Sequence, residues 1–220
     1  MRDIVIFGTG DIAALACFYF TEDSPFNVVG FTVDEAYMTG PEFMGRPVIA
    51  FERLHEVHPP ERCGVFVALS YAKLNTLRAS KAEAARAMGY TLPSYVSSKA
   101  TVFSDLRHGD NCFILENNVI QPFVTIGNNV TLWSGNHIGH HSVIEDDVFL
   151  ASHIVVSGGV RLGQGCFVGV NVTLRDHITI GARCVLGAGT LILADAEADG
   201  VYMGTGTERS RVPSSRLRGI

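Results

Sequence analysis

Five histidines, His137, His140, His141, His153 and His177, fall in a stretch that is otherwise rich in glycine, asparagine and aspartate. An imidazole titrates near neutral pH, so it can take up and release a proton, and its ring nitrogens also bind metals such as zinc. A second group of residues suits a phosphate. The apolar run from Asp3 to Phe7 leads into Gly8-Thr9-Gly10-Asp11-Ile12-Ala13 and then into an apolar helical stretch that ends near Phe20. A strand, a glycine turn and a helix in that order aim backbone N–H groups and a helix N-terminus at a phosphate. Asp34 stands where the acidic residue of a dinucleotide fingerprint is expected, about twenty positions on.

The histidines are positioned by a beat of six. From Ile114 every sixth residue is aliphatic, through Ile120, Ile126, Leu132, Ile138, Ile144, Leu150, Val156, Leu162, Val168, Leu174, Ile180 and Leu186 to Ile192. A looser series of small or branched residues follows four positions after each, from Val124 to Thr190 and including Asn136, Ser142, Cys166 and Cys184. Helices repeat near 3.6 and strands near 2, so the beat predicts a hexapeptide β-helix from Phe113 to about Ala196. Three flat faces close one coil, so residues eighteen apart stack. His140 then shares a column with Gly158 and Asp176, His141 with Gly159 and His177, and His153 with Asn171. Imidazoles and glycines gathered at corners exceed what a purely structural solenoid needs. Coil stacking leaves two open ends, expected to be covered by the preceding domain and by the chain after Leu193.

The first hundred residues alternate strand and helix: apolar runs at 27–33, 46–49 and 64–69, a helix at 73–88, and Tyr90-Thr91-Leu92 leading to a fifth strand. This predicts a parallel sheet with helices packed on it. The segment Tyr37 to Gly45 shows no clear pattern. We place an α/β nucleotide-sugar-binding domain at 1–100 and the β-helix at 101–220. The α/β unit is half the length of a full dinucleotide-binding fold, which favours a mononucleotide or nucleotide-sugar over NAD. Tyr71 and Asn75 follow the fourth strand at its C-terminal end, where open α/β sheets bind ligands, and are read either as base or ribose contacts or as capping residues. His55 and His58, beside Pro59-Pro60, read as solvated surface.

The chain has 220 residues and a net charge of −5, which argues against a general nucleic-acid binder. No apolar run reaches the roughly 20 residues that span a bilayer, and the N-terminus reads as a strand rather than a secretory leader. The expected location is cytoplasmic. The five cysteines are scattered and form no C-x-x-C pair, so neither a disulfide framework nor a thiolate zinc site is indicated.

The stretch Trp133-Ser134-Gly135-Asn136-His137-Ile138-Gly139-His140-His141-Ser142, with Ala151-Ser152-His153 and Gly169-Val170-Asn171, resembles the bacterial sugar acetyltransferases of the sialic acid O-acetyltransferase type. The group includes N-acetyltransferases of nucleotide-linked 4-amino-4,6-dideoxy sugars such as bacillosamine and perosamine derivatives. The resemblance implies a half-Rossmann-like α/β domain followed by a left-handed parallel β-helix. It further implies a homotrimer with acetyl-CoA between neighbouring solenoids, a nucleotide-linked amino sugar as acceptor, no metal, and a place in surface polysaccharide or glycan biosynthesis.

It assigns His140 as general base and the Gly158 N–H as oxyanion donor. His153, Gly158, Asn171 and Gly189 fall to the cofactor, and Gly8, Gly10, Asp34, Tyr71, Asn75, Trp133 and His141 to the substrate. His153 and Asn171 face either the cofactor cleft or the neighbouring subunit, and Trp133 packs on a neighbour or on the sugar. His137 reads as surface. The acidic residue that follows the family's base is His141 here, which leaves the orienting role to Glu145, Asp146 or Asp176, or to none. A second family histidine falls at Phe149. Val201 to Thr207 departs from the family's terminal pattern, and Arg209, Arg211, Arg216 and Arg218 make the C-terminus basic. Three other readings stand beside this one: a sugar O-acetyltransferase, a zinc carbonic anhydrase of hexapeptide type with three histidines on the metal, and a non-enzymatic nucleotide-binding trimer.

Overall fold

Short apolar runs broken by glycine turns fold the N-terminal part around one central strand. The computed structural model describes residues 2–209 and 211–216; Arg218 of the basic C-terminus lies outside the described residues. β1 (Arg2–Phe7), α1 (Asp11–Glu22), β2 (Phe26–Val33), β3 (Glu42–Phe43), β4 (Arg46–Ala50), α2 (Leu54–Val57), β5 (Cys63–Val67) and α3 (Thr76–Ala87) follow in order. The sheet runs β3-β4-β2-β1-β5, parallel except for β3. Ile4, Val5 and Ile6 on β1 are fully buried, as expected of a parallel strand covered on both faces.

Two sequence expectations change here. The patternless segment contains β3, which pairs with β4 across a turn at Met44 and Gly45, both with positive φ (49° and 71°). That is the geometry of a two-residue hairpin loop, and a strand of two residues is too short to show alternation. The fifth strand foreseen after Leu92 does not join this sheet. Pro93 lacks the N–H that a sheet ladder needs, and the next strand, β6 (Tyr95–Val96), pairs with Phe113–Ile114 of the solenoid.

The solenoid is a left-handed β-helix of two-residue strands in three parallel sheets. One face holds seven strands, from β6 through Thr131–Leu132 and Phe149–Leu150 to Val201–Tyr202; we call it the docking face. The second runs from Val119–Ile120 through His137–Ile138 to Leu191–Ile192, and the third from Arg107–His108 to Thr179–Ile180. Every residue of the aliphatic six-beat series is at most 7 % exposed, and the second series is buried with it. Coils are tied by backbone hydrogen bonds such as Thr131 N to Val148 O (3.0 Å) and His137 N to Ile154 O (2.9 Å).

The lower end is closed differently from expectation. An irregular coil spanning 95–108, with Val96 and Leu106 turned into the core, covers it. The α/β domain docks instead on the flank. The upper end is covered by the chain after Leu193, where Ala196 bridges to Ile180 and Tyr202 packs on the core.

The outward residues of the docking face are large and buried: Tyr95, Phe113, Phe149 and also Thr131. Tyr95 and Phe113 join Phe20 and Phe66 in one aromatic cluster with ring centroids 4.9–5.7 Å apart. Polar side chains fix the docking. Arg78 on α3 is buried, donates to Thr131 Oγ1, to Asn129 O (2.8 Å) and to Val148 O (3.5 Å), and lies over the Phe149 ring. Burial pushes its pKa down to about 10, so it keeps its charge at neutral pH. Asn111 accepts from Val67 N (2.7 Å), closing the free edge of β5. At the end of α1, Asp23 accepts from Tyr95 Oη (2.7 Å), Ser97 Oγ (3.2 Å) and Ser98 N (2.9 Å). The bond from Ser98 leads, with those from Tyr95 and Ser97 and against burial, in holding the Asp23 carboxyl down to about 2.

Two outcomes follow from this seam. Arg78→Ala removes charge-assisted bonds to two carbonyls and a hydroxyl, and should lower stability by about 2–3 kcal/mol in denaturant titration. Because the folded pKa of Asp23 lies below its unfolded value near 3.9, its contribution is present above that pH and fades as pH falls toward 2. Asp23→Asn should flatten the acid unfolding curve between pH 4 and 2.

Candidate active site

Two clusters of polar and aromatic side chains stand at opposite edges of the second solenoid face. The first is the corner where that face turns into the third. The backbone N–H of His140 is held by Gln121 Oε1 (2.9 Å), and the His140 ring lies against Gly158 in the next coil. A Cβ at Gly158 would stand 2.6 Å from Cε1 and 2.7 Å from Nε2 of that ring, so only glycine admits it. The Gly158 carbonyl accepts from His177 N (3.0 Å), while its N–H makes no hydrogen bond among the described residues. Nδ1 of His140 is 3.1 Å from Nδ1 of His141, with the rings at 86°. His141 takes the left-handed corner conformation (φ 59°) and packs on Phe123, centroid to centroid 4.7 Å. Both histidines are exposed.

The second cluster is a cavity of about 230 Å³ at the seam, lined by Ile12, Tyr71, Trp133, Phe149, Ala151 and Ser152. The Tyr71 ring sits 5.1 Å from Phe149 and 4.6 Å from Phe167. Ile12 lies in the first turn of α1, which follows the glycine turn. Gly8 there has φ 125°, and a Cβ would meet Ala68 O at 3.0 Å, so the turn demands glycine on two counts. Gly10 caps α1 and has open space around it. Helix N–H groups at this end point outward, as an anion requires.

Tyr71 and Trp133 line this cavity, and the turn that holds Gly8 and Gly10 leads into α1, whose Ile12 lines it too. Two companions foreseen from the sequence stand apart. Asp34 pairs with Lys81 (2.6 Å), whose ammonium also lies over the rings of Phe7 and Phe51. Asn75 is fully buried, and its Nδ2 faces the carbonyls of Gly165 (3.5 Å) and Cys166 (3.4 Å) in the solenoid. It fastens α3 to the docking face.

His153, Asn171 and Gly189 share one column of left-handed corners with Gly135 (φ 58°, 59°, 71° and 79°). The His153 ring leans on Gly135, where a Cβ would lie 2.7 Å from Nδ1. This column stands beside the seam cavity. It is a full face away from His140, roughly 20 Å at about 3.3 Å per extended residue. Within one chain, then, the proposed base meets Gly158 but not His153, Asn171 or Gly189. Gln121 and Phe123 escaped the sequence reading, and Phe149 entered it only as the position of a family histidine. Phe123 was findable, since the His141 column continues eighteen residues downward to it. Among the described residues, no three His, Cys, Asp or Glu side chains converge as a metal would require.

Segments 105–140 and 159–194 match the family model described as bacterial transferase hexapeptide (six repeats). A sequence search of curated proteins finds no match. Solved structures are similar over nearly the whole length. The acetyltransferase domain of PglB from Neisseria gonorrhoeae, in complex with acetyl coenzyme A, is 21 % identical, with 92 % of this chain and 96 % of that one covered at a TM-score of 0.80. A histidine-to-asparagine mutant of perosamine N-acetyltransferase from Caulobacter crescentus, in complex with CoA and GDP-perosamine, is 22 % identical over 93 % and 94 %, at 0.81. WeeI from Acinetobacter baumannii is 13 % identical over 93 % and 97 %, at 0.67. The chain thus has the fold of the hexapeptide-repeat acetyltransferases that carry an N-terminal α/β domain.

Gly158→Ala tests the seating of His140 without reference to activity. The backbone of Gly158 is outside the left-handed region, so alanine is tolerated by the chain and clashes only with the ring. The ring resonances of His140 should shift in NMR spectra while those of His153 stay in place.

Proposed function

We propose that the protein is an acetyl-CoA-dependent N-acetyltransferase acting on the 4-amino group of a nucleotide-linked 4-amino-4,6-dideoxy sugar. The observation that carries this reading is the His140 imidazole seated on Gly158 beside an uncommitted backbone N–H, on a solenoid whose α/β partner opens a phosphate-type turn. The structural similarity to acetyltransferases in complex with CoA and a GDP-linked amino sugar supports it. Acetyl-CoA supplies an acetyl group activated as a thioester. Nε2 of His140 takes the proton of the acceptor amine as the C–N bond forms at the thioester carbonyl. The Gly158 N–H faces the oxygen on which charge develops, and the imidazolium returns the proton to the departing thiolate. Glycine at 158 leaves room for the thioester.

The separation of the two clusters by one face makes the site an intersubunit one in this reading. His140 of one copy would meet the seam cavity and the His153, Asn171 and Gly189 column of another. Exposed Val119, Val155 and Leu191 on the second face favour contact between copies, and the assembly we propose is the homotrimer that the family resemblance implies. No helix among the described residues is long and apolar enough to cross a membrane. The location we propose is cytoplasmic, and the pathway that of surface glycans.

The test is CoA release, read with a thiol reagent, across UDP- and GDP-linked amino sugars, their hydroxyl counterparts and free sialic acid. Turnover should be confined to a nucleotide-linked amino sugar and should fall about 10²–10⁴-fold in His140→Ala. Turnover only on a hydroxyl acceptor would instead make the enzyme an O-acetyltransferase. Shared sites add a second expectation. His140→Ala co-expressed with Tyr71→Ala should recover part of the activity that each variant lacks alone, because mixed trimers contain some sites with both residues intact.

A further inference from the structure

The contact between His140 and His141 carries information of its own. Two imidazole nitrogens 3.1 Å apart attract only when one is protonated and the other presents a lone pair. A proton on both would repel, and so would a proton on neither. The two neutral rings therefore hold opposite tautomers. If Nδ1 of His140 is the donor, its Nε2 is bare and aimed at Gly158, which is the form a base needs. If His141 is the donor, Nε2 of His140 carries the proton and the base is blocked.

We propose that His141 is a positioning residue whose Nδ1 accepts the Nδ1–H of His140, fixing the orientation and tautomer that leave His140 Nε2 free to take a proton. This rests on the reading of His140 as the base. The corner holds His141 ready for the part. Its left-handed backbone and the Phe123 ring beneath it fix the imidazole plane, while Gln121 anchors the backbone N–H of His140. A neutral acceptor orients its partner without adding negative charge to the corner. Other titratable groups border the pair. Asp105 lies below in the His141 column, where it accepts from Phe123 N (2.7 Å). Asp176 and His177 lie above, with the His177 ring seated over Gly159. All three are exposed.

Two variants isolate the effect. His141→Phe removes the acceptor but keeps an aromatic ring at a left-handed corner, which the column already tolerates at Phe123 (φ 68°). His141→Asp restores an acceptor and adds charge. In the wild-type protein, ring ¹⁵N shifts should show His140 protonated at Nδ1, and this preference should disappear in His141→Phe. The same variant should lose roughly tenfold or more in kcat at unchanged KM for both substrates. His141→Asp should recover kcat and move the acid limb of kcat/KM to higher pH by roughly one unit. Finding Nε2 of His140 protonated in the wild type, or wild-type kcat in His141→Phe, would overturn the proposal. The tautomer measurement is independent of turnover, so it stays decisive even if His140→Ala proves fully active and the base assignment itself fails.

Discussion

The structure depends on one geometric constraint: eighteen residues make one turn of the solenoid, and each turn is hydrogen-bonded to the next through its own backbone. Strands of two residues have almost no intrinsic stability. They persist because all but the end strands lie between two neighbours in a ladder of up to seven. That ladder converts a sequence offset into a spatial contact, and the Gly158 gap, the His140 ring and the left-handed corners all follow from it. The corners repay close reading. At three places around the coil the chain turns through positive φ, and the residues found there are those that tolerate it, mostly Asn, Asp, Gly and His. Histidine is therefore admitted to these columns by conformation before any chemistry is asked of it.

The α/β domain is held to the solenoid by a mixed seam. Aromatic rings supply the apolar area, Arg78 and Asn75 donate to solenoid carbonyls, and Asn111 of the solenoid in turn bonds the backbone N–H and carbonyl of Val67 on β5. An arginine without a carboxylate partner in that position is unusual, because desolvation of its charge must be met by neutral acceptors and the face of Phe149. Its Nε and Oδ1 of Asn75 are the buried side-chain polar atoms left without a hydrogen bond among the described residues. The seam is thus specific in geometry as well as tight.

Much of this was legible in the sequence, and the reasons are physical. The six-residue beat is long and regular, so the β-helix and its core could be read off residue by residue, and stacking then placed His140 beside Gly158 with no further input. The glycine turn and its helix were legible for the same local reason. What failed was information that lives between elements. Nothing in the neighbourhood of Asp34 announces Lys81, and nothing near Asn75 announces the carbonyls of a coil ninety residues later. Hexad spacing fixes which column a residue joins, but it does not say whether the His153 column serves the His140 of its own chain or of a neighbouring one. Arg78 looked like any helix residue because its partners, two backbone carbonyls, the Thr131 hydroxyl and the Phe149 ring, lie fifty or more residues away.

The core and the chemistry of this solenoid obey different periods. Burial of the aliphatic series needs only a repeat of six, whereas the meeting of His140 with Gly158 needs a repeat of eighteen. Loss of a single hexad between them would leave every inward residue inward, yet would turn the upper coils by a third of a revolution and carry Gly158 to another corner. Gain or loss of three hexads together would change only the height. Length variation in such a chain is therefore quantised: steps of six preserve the fold, and only steps of eighteen preserve the columns.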